Sequence, residues 1–394
     1  MHFGELFLFL QKKTMIIREL QQQILNALHS KKVVVMLGAR RVGKTTLVKD
    51  ICNQMPDSKY FNCELLQNRD ILQTTNSELL FSAIGSYKLV IFDEAQSIDN
   101  IGLILKIIHD TFPEIRVIAT GSSSFFLEQQ VGEPLVGRSR YFTMTPFSYE
   151  ELTGARDTVT VNAALDSILR FGMYPDVYGM NEEEAIEELD AIVSGYLLKD
   201  IFQFEQLKKP DVLYGLLKSL ALQIGSQVSL SELSNLLNVH VNTVKRYIEL
   251  LEQNFIIFRL PAYSKNPRNE IAKSQKIFFY DCGIRNAIIR NFNPMNIRSD
   301  AGQLFENFFI SERRKRIFNE RKLITQFFWR NYQQKEIDLV EDSGTDLQLF
   351  ECKFSTKRKS NIPNDFAKSY TDYSYNIVDS SSFWLHLKKT KDYE

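Results

Sequence analysis

Residues 38–45 have the spacing of a loop that binds phosphate groups. Gly38 and Gly43 enclose four residues, and Lys44 and Thr45 follow directly. In this pattern backbone N–H groups surround the phosphates, the lysine reaches the outer phosphates and the hydroxyl binds Mg²⁺. The residues expected to contact the nucleotide are Gly38, Ala39, Arg40, Arg41, Val42, Gly43, Lys44, Thr45 and Thr46. The alternative is a glycine turn with an exposed lysine.

Two acids follow a second apolar segment. Asp93 and Glu94 come directly after residues 89–92, which read as a buried strand. After a phosphate-binding loop, the first acid is expected to hold the Mg²⁺ shell and the second to orient the attacking water. Without such a loop, two acids after a strand would simply be a solvated turn. Together the two segments predict that ATP and Mg²⁺ are the cofactors and that ATP is hydrolysed.

Polar residues near two further strands could also reach the phosphates. Thr120 and Ser122 follow the apolar residues 117–119, where a polar side chain could sense the γ-phosphate. They could equally cap a helix at 123–129. Arg138 and Arg140 precede the last strand of this region, where an arginine finger could reach the nucleotide of a neighbouring subunit. Surface arginines without a catalytic role are the alternative.

Strands and helices alternate in this amino-terminal region. Strands are predicted at 33–37, 59–63, 89–92 and 117–119, with helices at 45–51 and 101–109. This order indicates a parallel sheet that is covered by helices on both faces. A mostly helical stretch follows Pro146 and extends to about residue 205.

Residues 229–260 have a different pattern. A helix at 231–237, a turn and a helix at 241–253 precede a strand at 255–260, which is the order of a winged helix-turn-helix. Val241, Val244, Ile248 and Leu251 share the apolar face of the second helix. The polar residues near its start that could contact DNA are Asn242, Thr243, Lys245 and Arg246. Such modules also bind proteins, so both interpretations stay open.

Composition restricts the class of protein. The 394 residues contain 48 Lys and Arg and 48 Asp and Glu, so any attraction for nucleic acid must be local. Four separated cysteines give no metal or disulfide pattern, which favours a reducing cytoplasm. No segment has the length of a membrane span or the form of a signal peptide, and Met15 resembles a natural start.

The carboxyl-terminal third combines strands with a long helix. Strands are predicted at 276–280, 326–329, 336–340 and 348–352, around a helix at 302–317. A basic run ends that helix and could attract phosphates; its members are Arg313, Arg314, Lys315 and Arg316, followed by Arg321 and Lys322. An exposed helix face without a ligand is the alternative.

Several short motifs together resemble a family of prokaryotic AAA-type ATPases. These proteins join an ATPase domain to a carboxyl-terminal domain of unknown function, DUF4143. The matching segments are residues 38–46, 92–96, 120–123, 137–138, 146–148, 171–175, 280–283 and 302–307. The resemblance implies an ATPase domain, a winged helix and a fold similar to restriction-type nucleases.

Two segments of the last domain resemble the core of PD-(D/E)xK nucleases. Asp338 lies in one predicted strand, and Glu351 and Lys353 lie on one face of the next. In that resemblance Asp338 and Glu351 would bind Mg²⁺, Lys353 would help to activate water, and Glu306 could complete the metal shell. An inactive relic that only binds DNA is the alternative.

The fold class is therefore α/β, with four expected units. These are an AAA+ P-loop ATPase core at 1–150 with a parallel sheet, a helical lid at 151–205, a winged helix at 206–262, and a restriction-endonuclease-like domain at 263–394. We expect a homo-oligomeric ATPase, such as a hexameric ring, that acts on DNA without a membrane partner. An ATP-gated nuclease and an ATP-controlled switch with a protein partner are the alternatives.

Overall fold

The computed structural model describes residues 16–122, 134–197, 210–264, 275–355 and 361–388. The proposed start at Met15 and the helix expected at 123–129 lie outside these ranges. Across the ranges that are described, none of the helices combines the length and the apolar character needed to cross a bilayer.

The amino-terminal region is built on a five-stranded parallel sheet. Its strands are β1 (Val33–Leu37), β2 (Ser58–Asn62), β3 (Leu89–Asp93), β4 (Arg116–Gly121) and β5 (Ser139–Thr143). Their order is β2-β3-β4-β1-β5, and each neighbouring pair is parallel. The parallel sheet predicted from the alternating pattern is confirmed.

Helices cover both faces of this sheet. They are α1 (Leu20–Leu28), α2 (Lys44–Gln54), α3 (Leu66–Leu72), α4 (Ser77–Ile84) and α5 (Ile101–Thr111). Because side chains alternate along a strand, β1 contributes to two cores: Val34 and Met36 enter one, and Val33 and Val35 enter the other. This explains why β1 is apolar at every position, as expected for a strand buried on both sides.

A helical region follows the sheet. It contains α6 (Tyr149–Ala155), α7 (Thr158–Ala163), α8 (Leu165–Phe171) and α9 (Glu182–Ala191), followed by a π-helical turn at Ile192–Leu197. Ser148 and Glu151 form a capping box, in which each side chain accepts from the other residue's backbone N–H. The start of α6 is therefore fixed by local chemistry.

The third unit combines three helices with a small antiparallel sheet. Its elements are α10 (Pro210–Leu222), β6 (Gln227–Val228), α11 (Leu230–Leu237), α12 (Val241–Gln253), β7 (Ile257–Pro261) and β8 (Gln275–Phe279). The strand order is β6-β8-β7. A boundary at residue 263 would separate strands that pair in one sheet, so this unit must extend to include β8. On α12, Val244, Ile248 and Leu251 of the predicted apolar face are buried, whereas Val241, the first residue of the helix, is 39% exposed.

The last unit has a mixed four-stranded sheet. After α13 (Cys282–Ile289) come a short 3-10 turn at Met295–Ile297, α14 (Ala301–Glu320), β9 (Thr325–Arg330), β10 (Glu336–Asp342), β11 (Leu347–Lys353), α15 (Asn364–Ser369), β12 (Tyr373–Asp379) and α16 (Phe383–Leu387). The order is β12-β11-β10-β9, with β11 and β12 parallel and the other pairs antiparallel. The α/β character of this region agrees with the sequence.

Three of the units and the segment that follows β8 meet at one buried junction. Phe147 N–H donates to Met173 O at 3.0 Å, and Lys315 Nζ donates to Phe147 O at 3.0 Å. Met173 N–H in turn donates to Asp281 Oδ2 at 2.7 Å. Gly172 permits this contact, because it has φ +75° and an added Cβ would lie 2.0 Å from Asp281 Oδ1. The junction joins segments that are far apart in the sequence.

Candidate nucleotide site and carboxylate cluster

The phosphate-binding loop lies between β1 and α2, at the carboxyl end of the parallel sheet. Gly38 begins the loop where the end of β5 comes close. A Cβ on this residue would lie 2.1 Å from Met144 O, so only glycine fits here. At the other end of the loop, Gly43 adopts φ 97° and precedes the first turn of α2. Helix amino termini of this kind favour bound phosphate.

Lys44 is held inside the loop. Its Nζ donates to Gly38 O at 2.8 Å and to Ala39 O at 2.9 Å, and it lies 3.9 Å from Glu94 Oε1. Only 4% of the residue is exposed. The ammonium group is therefore oriented within the concave loop, where the outer phosphates of a nucleotide would compete for it.

Asp93 is the centre of a hydrogen-bond network at the end of β3. Thr45 Oγ1 donates to its Oδ2 at 2.7 Å, and Thr120 Oγ1 donates to its Oδ1 at 2.5 Å. Tyr60 Oη also donates to Oδ2 at 2.7 Å. The arrangement brings together the two predicted Mg²⁺ ligands, Thr45 and Asp93. These groups fit the ion, because Mg²⁺ binds oxygen ligands and commonly takes a loop hydroxyl and one carboxylate.

Sequence reasoning did not identify Tyr60. Burial, together with the hydrogen bond to Asp93, raises the pKa of its phenol above the ordinary value. The residue therefore remains a neutral donor to the carboxylate. The only sequence signal was its place on β2, because the contact with Asp93 spans 33 positions.

Glu94 has the unusual left-handed backbone conformation, with φ 54°. Its N–H donates to Thr120 Oγ1 at 3.0 Å, so Thr120 bridges both acids. Gln96 Nε2 donates to Glu94 Oε2 at 2.5 Å and to Ser122 Oγ at 3.2 Å. Gln96, another residue missed in the sequence, thus connects the predicted water-orienting acid with Ser122. The helix that Thr120 and Ser122 could have capped lies outside the described residues.

The two arginines of the loop pair with acids outside the loop. Arg40 forms an ion pair with Glu64 at 3.7 Å. Arg41 lies 3.5 Å from Asp176 and also pairs with Glu188 of α9. The loop is therefore linked electrostatically to the helical region that follows the sheet.

A cavity of about 350 Å³ lies beside the loop and α2. Its walls come from the amino-terminal segment, the loop, α2 and the helical region, and they include Ile16, Ile17, Val42, Thr46, Met144 and Tyr178. Arg18 anchors this side of the site. Its guanidinium group donates to Thr145 O at 2.5 Å and pairs with Glu151 at 3.1 Å. Apart from Val42 and Thr46, the sequence did not identify these residues.

Arg138 and Arg140 lie at the opposite end of the sheet. Val33 pairs with Ser139 at the start of the two strands, whereas the phosphate-binding loop follows Leu37. Arg138 is ion-paired with Asp110 at 2.8 Å, and this contact lowers the pKa of Asp110 to about 2. Neither arginine is positioned to reach the loop of its own chain.

The polar face of α12 is accessible. Asn242, Lys245 and Arg246 are exposed, and Thr243 is half-buried. Val244, Tyr247 and Ile248 point into the core instead. The helix is therefore amphipathic as predicted, with the four candidate residues away from the core.

The basic run on α14 does not form the surface that the sequence indicated. Arg313 is buried and pairs with Glu341 of β10, while Lys315 is fully buried and pairs with Glu312 at 2.7 Å. Arg314 lies over the ring of Phe258, and Arg316 pairs with Glu320 at 2.8 Å. Buried cations are retained because they are paired, so Arg313 and Lys315 are unavailable to DNA phosphates.

Carboxylates from α14 and β10 form a second polar cluster. One oxygen each of Glu306, Glu336 and Asp338 lies within 4.8 Å of the others. The predicted partners Glu306 and Asp338 are thus brought together, and Glu336 is a member that the sequence analysis missed. Burial raises the pKa of Asp338 well above its ordinary value, and the charges of Glu306 and Glu351 add to this effect. Carboxylate oxygens at this spacing could hold a divalent cation.

Glu351 and Lys353 lie beside this cluster. Lys353 Nζ donates to Glu351 Oε1 at 2.5 Å. Asp338 Oδ2 accepts from Cys352 N–H at 2.7 Å, which fixes the neighbouring strand against it. The structure therefore places Glu351 in an ion pair with Lys353 and outside the three-carboxylate group. The predicted set of Glu306, Asp338 and Glu351 is only partly brought together.

Three family models match successive parts of the chain. Residues 30–153 match the model of an AAA domain, and residues 301–392 match a domain of unknown function, DUF4143. Residues 162–295 match a further domain of unknown function, DUF8612. The last match includes β8 together with β6 and β7, in agreement with the sheet pairing.

Similar proteins occur in distant prokaryotes. An uncharacterized protein of Mycobacterium tuberculosis is 25% identical over 332 residues, covering 83% of this chain and 71% of that protein. One from Haemophilus influenzae is 24% identical, covering 69% and 73%. Among solved structures, a Walker-type ATPase of Pyrococcus abyssi has a TM-score of 0.48 at 15% identity, covering 71% of this chain and 97% of that one. The chain therefore combines a match to an AAA domain with a match to a carboxyl-terminal DUF4143 domain, the combination found in the AAA-type ATPases that its motifs resemble.

Proposed function

We propose that the protein binds and hydrolyses ATP with Mg²⁺ and couples this reaction to DNA. The observation that carries the ATPase proposal is the network around Asp93, which joins Thr45 of the loop to Thr120 of β4. Mg²⁺ would be held by Thr45 and Asp93 and would neutralise charge on the β- and γ-phosphates. Glu94 would orient the attacking water, and Lys44 would bind the outer phosphates.

The cavity beside the loop supports a role in holding the base of the nucleotide. Its lining is mostly apolar, which suits a flat heteroaromatic ring. Tyr178 belongs to the helical region and Ile16 to the amino-terminal segment, so a bound base would contact both. Nucleotide binding would in this way stabilise one arrangement of the two regions.

We propose that the active form is a homo-oligomer. Arg138 lies at the end of the sheet opposite the loop, which suits a finger supplied to a neighbouring subunit and not to its own. Its pairing with Asp110 would have to break when the neighbour's γ-phosphate takes the guanidinium group. Arg140 is an exposed second candidate.

The third unit supports a winged helix as the DNA-binding module. A helix, a short strand, two helices and two further strands follow in order, and β6, β8 and β7 pair in one antiparallel sheet. In such modules the second helix of the helix-turn-helix enters the major groove with the residues near its start. On α12 these residues are Asn242, Thr243, Lys245 and Arg246.

DNA should stimulate ATP turnover, and this stimulation should depend on α12. Reversing both charges in Lys245→Glu/Arg246→Glu removes two candidate phosphate contacts. The plot of log affinity against log salt should then lose roughly 0.9 of slope per contact. Turnover is measured with duplex, single-stranded and branched DNA, and affinity is measured across a salt series.

Lys88→Glu/Lys106→Glu on the ATPase region provides a control with the same change of charge. It should leave DNA stimulation intact, because Lys88 and Lys106 lie on the first unit, away from α12. The proposal would be contradicted if none of the three kinds of DNA changed the rate of ATP turnover and the protein did not bind DNA at low salt. That result would favour a switch that acts on a protein partner.

A DNA nuclease is the second candidate function. It is supported by the approach of Glu306 to Asp338 and by the position of Lys353 on the next strand. Asp338 would bind Mg²⁺ and Lys353 would activate water, but Lys353 must first leave Glu351. The restriction-endonuclease-like fold that this function implies is part of the same proposal.

Cleavage should require both residues. Mg²⁺- or Mn²⁺-dependent nicking should vanish in Asp338→Asn and in Lys353→Ala, because each change removes a different role. Asp342→Asn, at the end of the same strand, is the matched control and should still cut. Cleavage that persists in both site variants would identify a contaminant, and a protein that never cuts would be a DNA-binding relic of the fold.

A further inference from the structure

A lysine from another sheet enters the carboxylate cluster. Lys276 lies on β8, outside the DUF4143 match, yet its Nζ is 3.1 Å from Glu306 Oε1 and also donates to Glu336. Only 2% of the residue is exposed. Two of the three converging carboxylates therefore hold an ammonium group that belongs to the third unit.

The cluster still has more acid than base. Four carboxylates lie near three cations. The acids are Glu306, Glu336, Asp338 and Glu351, and the cations are Lys276, Lys353 and Arg330. Arg330 Nε is 3.5 Å from Glu336 Oε2. Among the described residues, Glu351 Oε2 is buried without a hydrogen-bond partner, and its side chain is close enough to act on the charges of Glu306 and Asp338. An unpaired buried carboxylate oxygen is costly unless a ligand satisfies it.

The ammonium group of Lys276 lies between the carboxylates of Glu306 and Glu336. The lysine therefore remains a cation and competes for the same oxygens as a metal ion. A divalent cation would supply one more positive charge than the ammonium group. The extra charge would also act on Glu351, which lies near Asp338 but outside the three-carboxylate group.

We propose that the cluster is a cation-exchange site, in which a divalent cation binds Glu306, Glu336 and Asp338 only when Lys276 leaves. The site shares its carboxylates with the nuclease candidate, but the exchange does not require DNA cleavage. Because Lys276 belongs to the sheet beside α12, its departure loosens the contact between the third unit and the last one. Occupancy of the cluster and docking of β8 are consequently opposed.

The exchange predicts that removing the lysine strengthens metal binding. In nucleotide-free full-length protein, Lys276→Met should lower the Kd for Mn²⁺ by about 10-fold or more, within the range typical of coupling between two ligands. Binding is measured by electron paramagnetic resonance of free Mn²⁺. Adding Asp338→Asn to Lys276→Met should abolish the gain, which assigns it to this cluster. An unchanged Kd in Lys276→Met would overturn the proposal.

Lys353→Met is the matched control, because it removes the same charge from the ion pair with Glu351. An equal gain of Mn²⁺ affinity in Lys353→Met would mean that the loss of any nearby positive charge is sufficient. That result would also overturn the exchange proposal. If Lys276→Met does not fold, the natural protein is tested with an amine-acetylating reagent and mass spectrometry. Mn²⁺ should raise the labelling of Lys276 but not of Lys315, which is equally buried.

Labelling of Lys276 that stays as low as that of Lys315 at every Mn²⁺ concentration would contradict the proposal. The nuclease candidate is judged separately. Exchange without nicking would remove that function and retain the exchange site. If the protein nicks DNA but Lys276→Met does not change its affinity for Mn²⁺, the nuclease function is retained and the exchange site is rejected.

Discussion

Replacing Glu94 with glutamine is expected to lower ATP turnover by about 10²–10⁴-fold, the usual contribution of a general base. ATP binding should persist, because the amide keeps the size of the side chain and Lys44 remains in the loop. Lys44→Ala should lose both binding and turnover, since the outer phosphates lose their counter-charge. Phosphate release measures turnover, and a fluorescent ATP analogue measures binding.

The matched control is Asp99→Asn, which neutralises a nearby acid whose carboxylate accepts from Gln73 Nε2. It should hydrolyse ATP at the parental rate. Full activity in Glu94→Gln would remove the assignment of this residue to the attacking water. Loss of binding in Glu94→Gln would instead mean that the contact between Lys44 and Glu94 organises the loop.

The second large effect concerns stability. Arg313→Met should destabilise the last unit by about 3–5 kcal/mol, because it leaves the Glu341 carboxylate buried without its cation. Lys322→Met should cost less than about 1 kcal/mol, because that ion pair is half exposed and screened by solvent. Both tryptophans, Trp329 and Trp384, lie in this unit, so their fluorescence follows its unfolding in guanidinium.

Comparing Arg313→Met with Lys322→Met also tests the hypothesis that the basic run at 313–316 is a DNA-binding surface. If Arg313→Met kept full stability but lost DNA affinity, the arginine would have to be available to phosphate after all. Equal destabilisation by Arg313→Met and Lys322→Met would show that burial does not govern the cost of losing either cation.

Local patterns were enough to predict most elements of the nucleotide site. An apolar run that ends at Gly38 predicted β1 at its observed bounds, and the apolar run before Asp93 predicted β3 to within one residue. Such strands are buried on both faces, so their composition depends little on distant residues. The apolar periodicity of α12 is also a local pattern, and the predicted bounds of this helix agree with the structure.

Contacts between distant segments were beyond the reach of this reasoning. Tyr60, Glu336 and Lys276 have no distinctive local sequence, and their roles depend on which strand lies beside them. Gln96 lies in the matching segment 92–96, but its link to Ser122 spans 26 positions. The basic run failed for the same reason, because Arg313 is paired with Glu341, which lies 28 positions away. A run of like charges reveals net charge but not which members will be buried with a partner.

The boundary at residue 263 rests on the order of predicted helices and strands, which does not show which strands pair. The pattern groups the strand predicted at 276–280 with the later strands around the long helix. In the structure this strand, β8, is the central strand of the β6-β8-β7 sheet. A unit boundary is therefore hard to infer from one sequence where the last strand of a sheet lies far along the chain from the strands with which it pairs.

This order of strands has a consequence for synthesis on the ribosome. β6 and β7 pair only with β8 in their sheet, and β8 leaves the ribosome after both of them. Translation adds about 5–20 residues per second, so the nascent helices α11 and α12 must wait for a strand that has not yet been made. The sheet can form only after β8, which directly precedes α13, has left the ribosome. The third unit is therefore expected to complete its folding together with the last unit and not with the helical region before it.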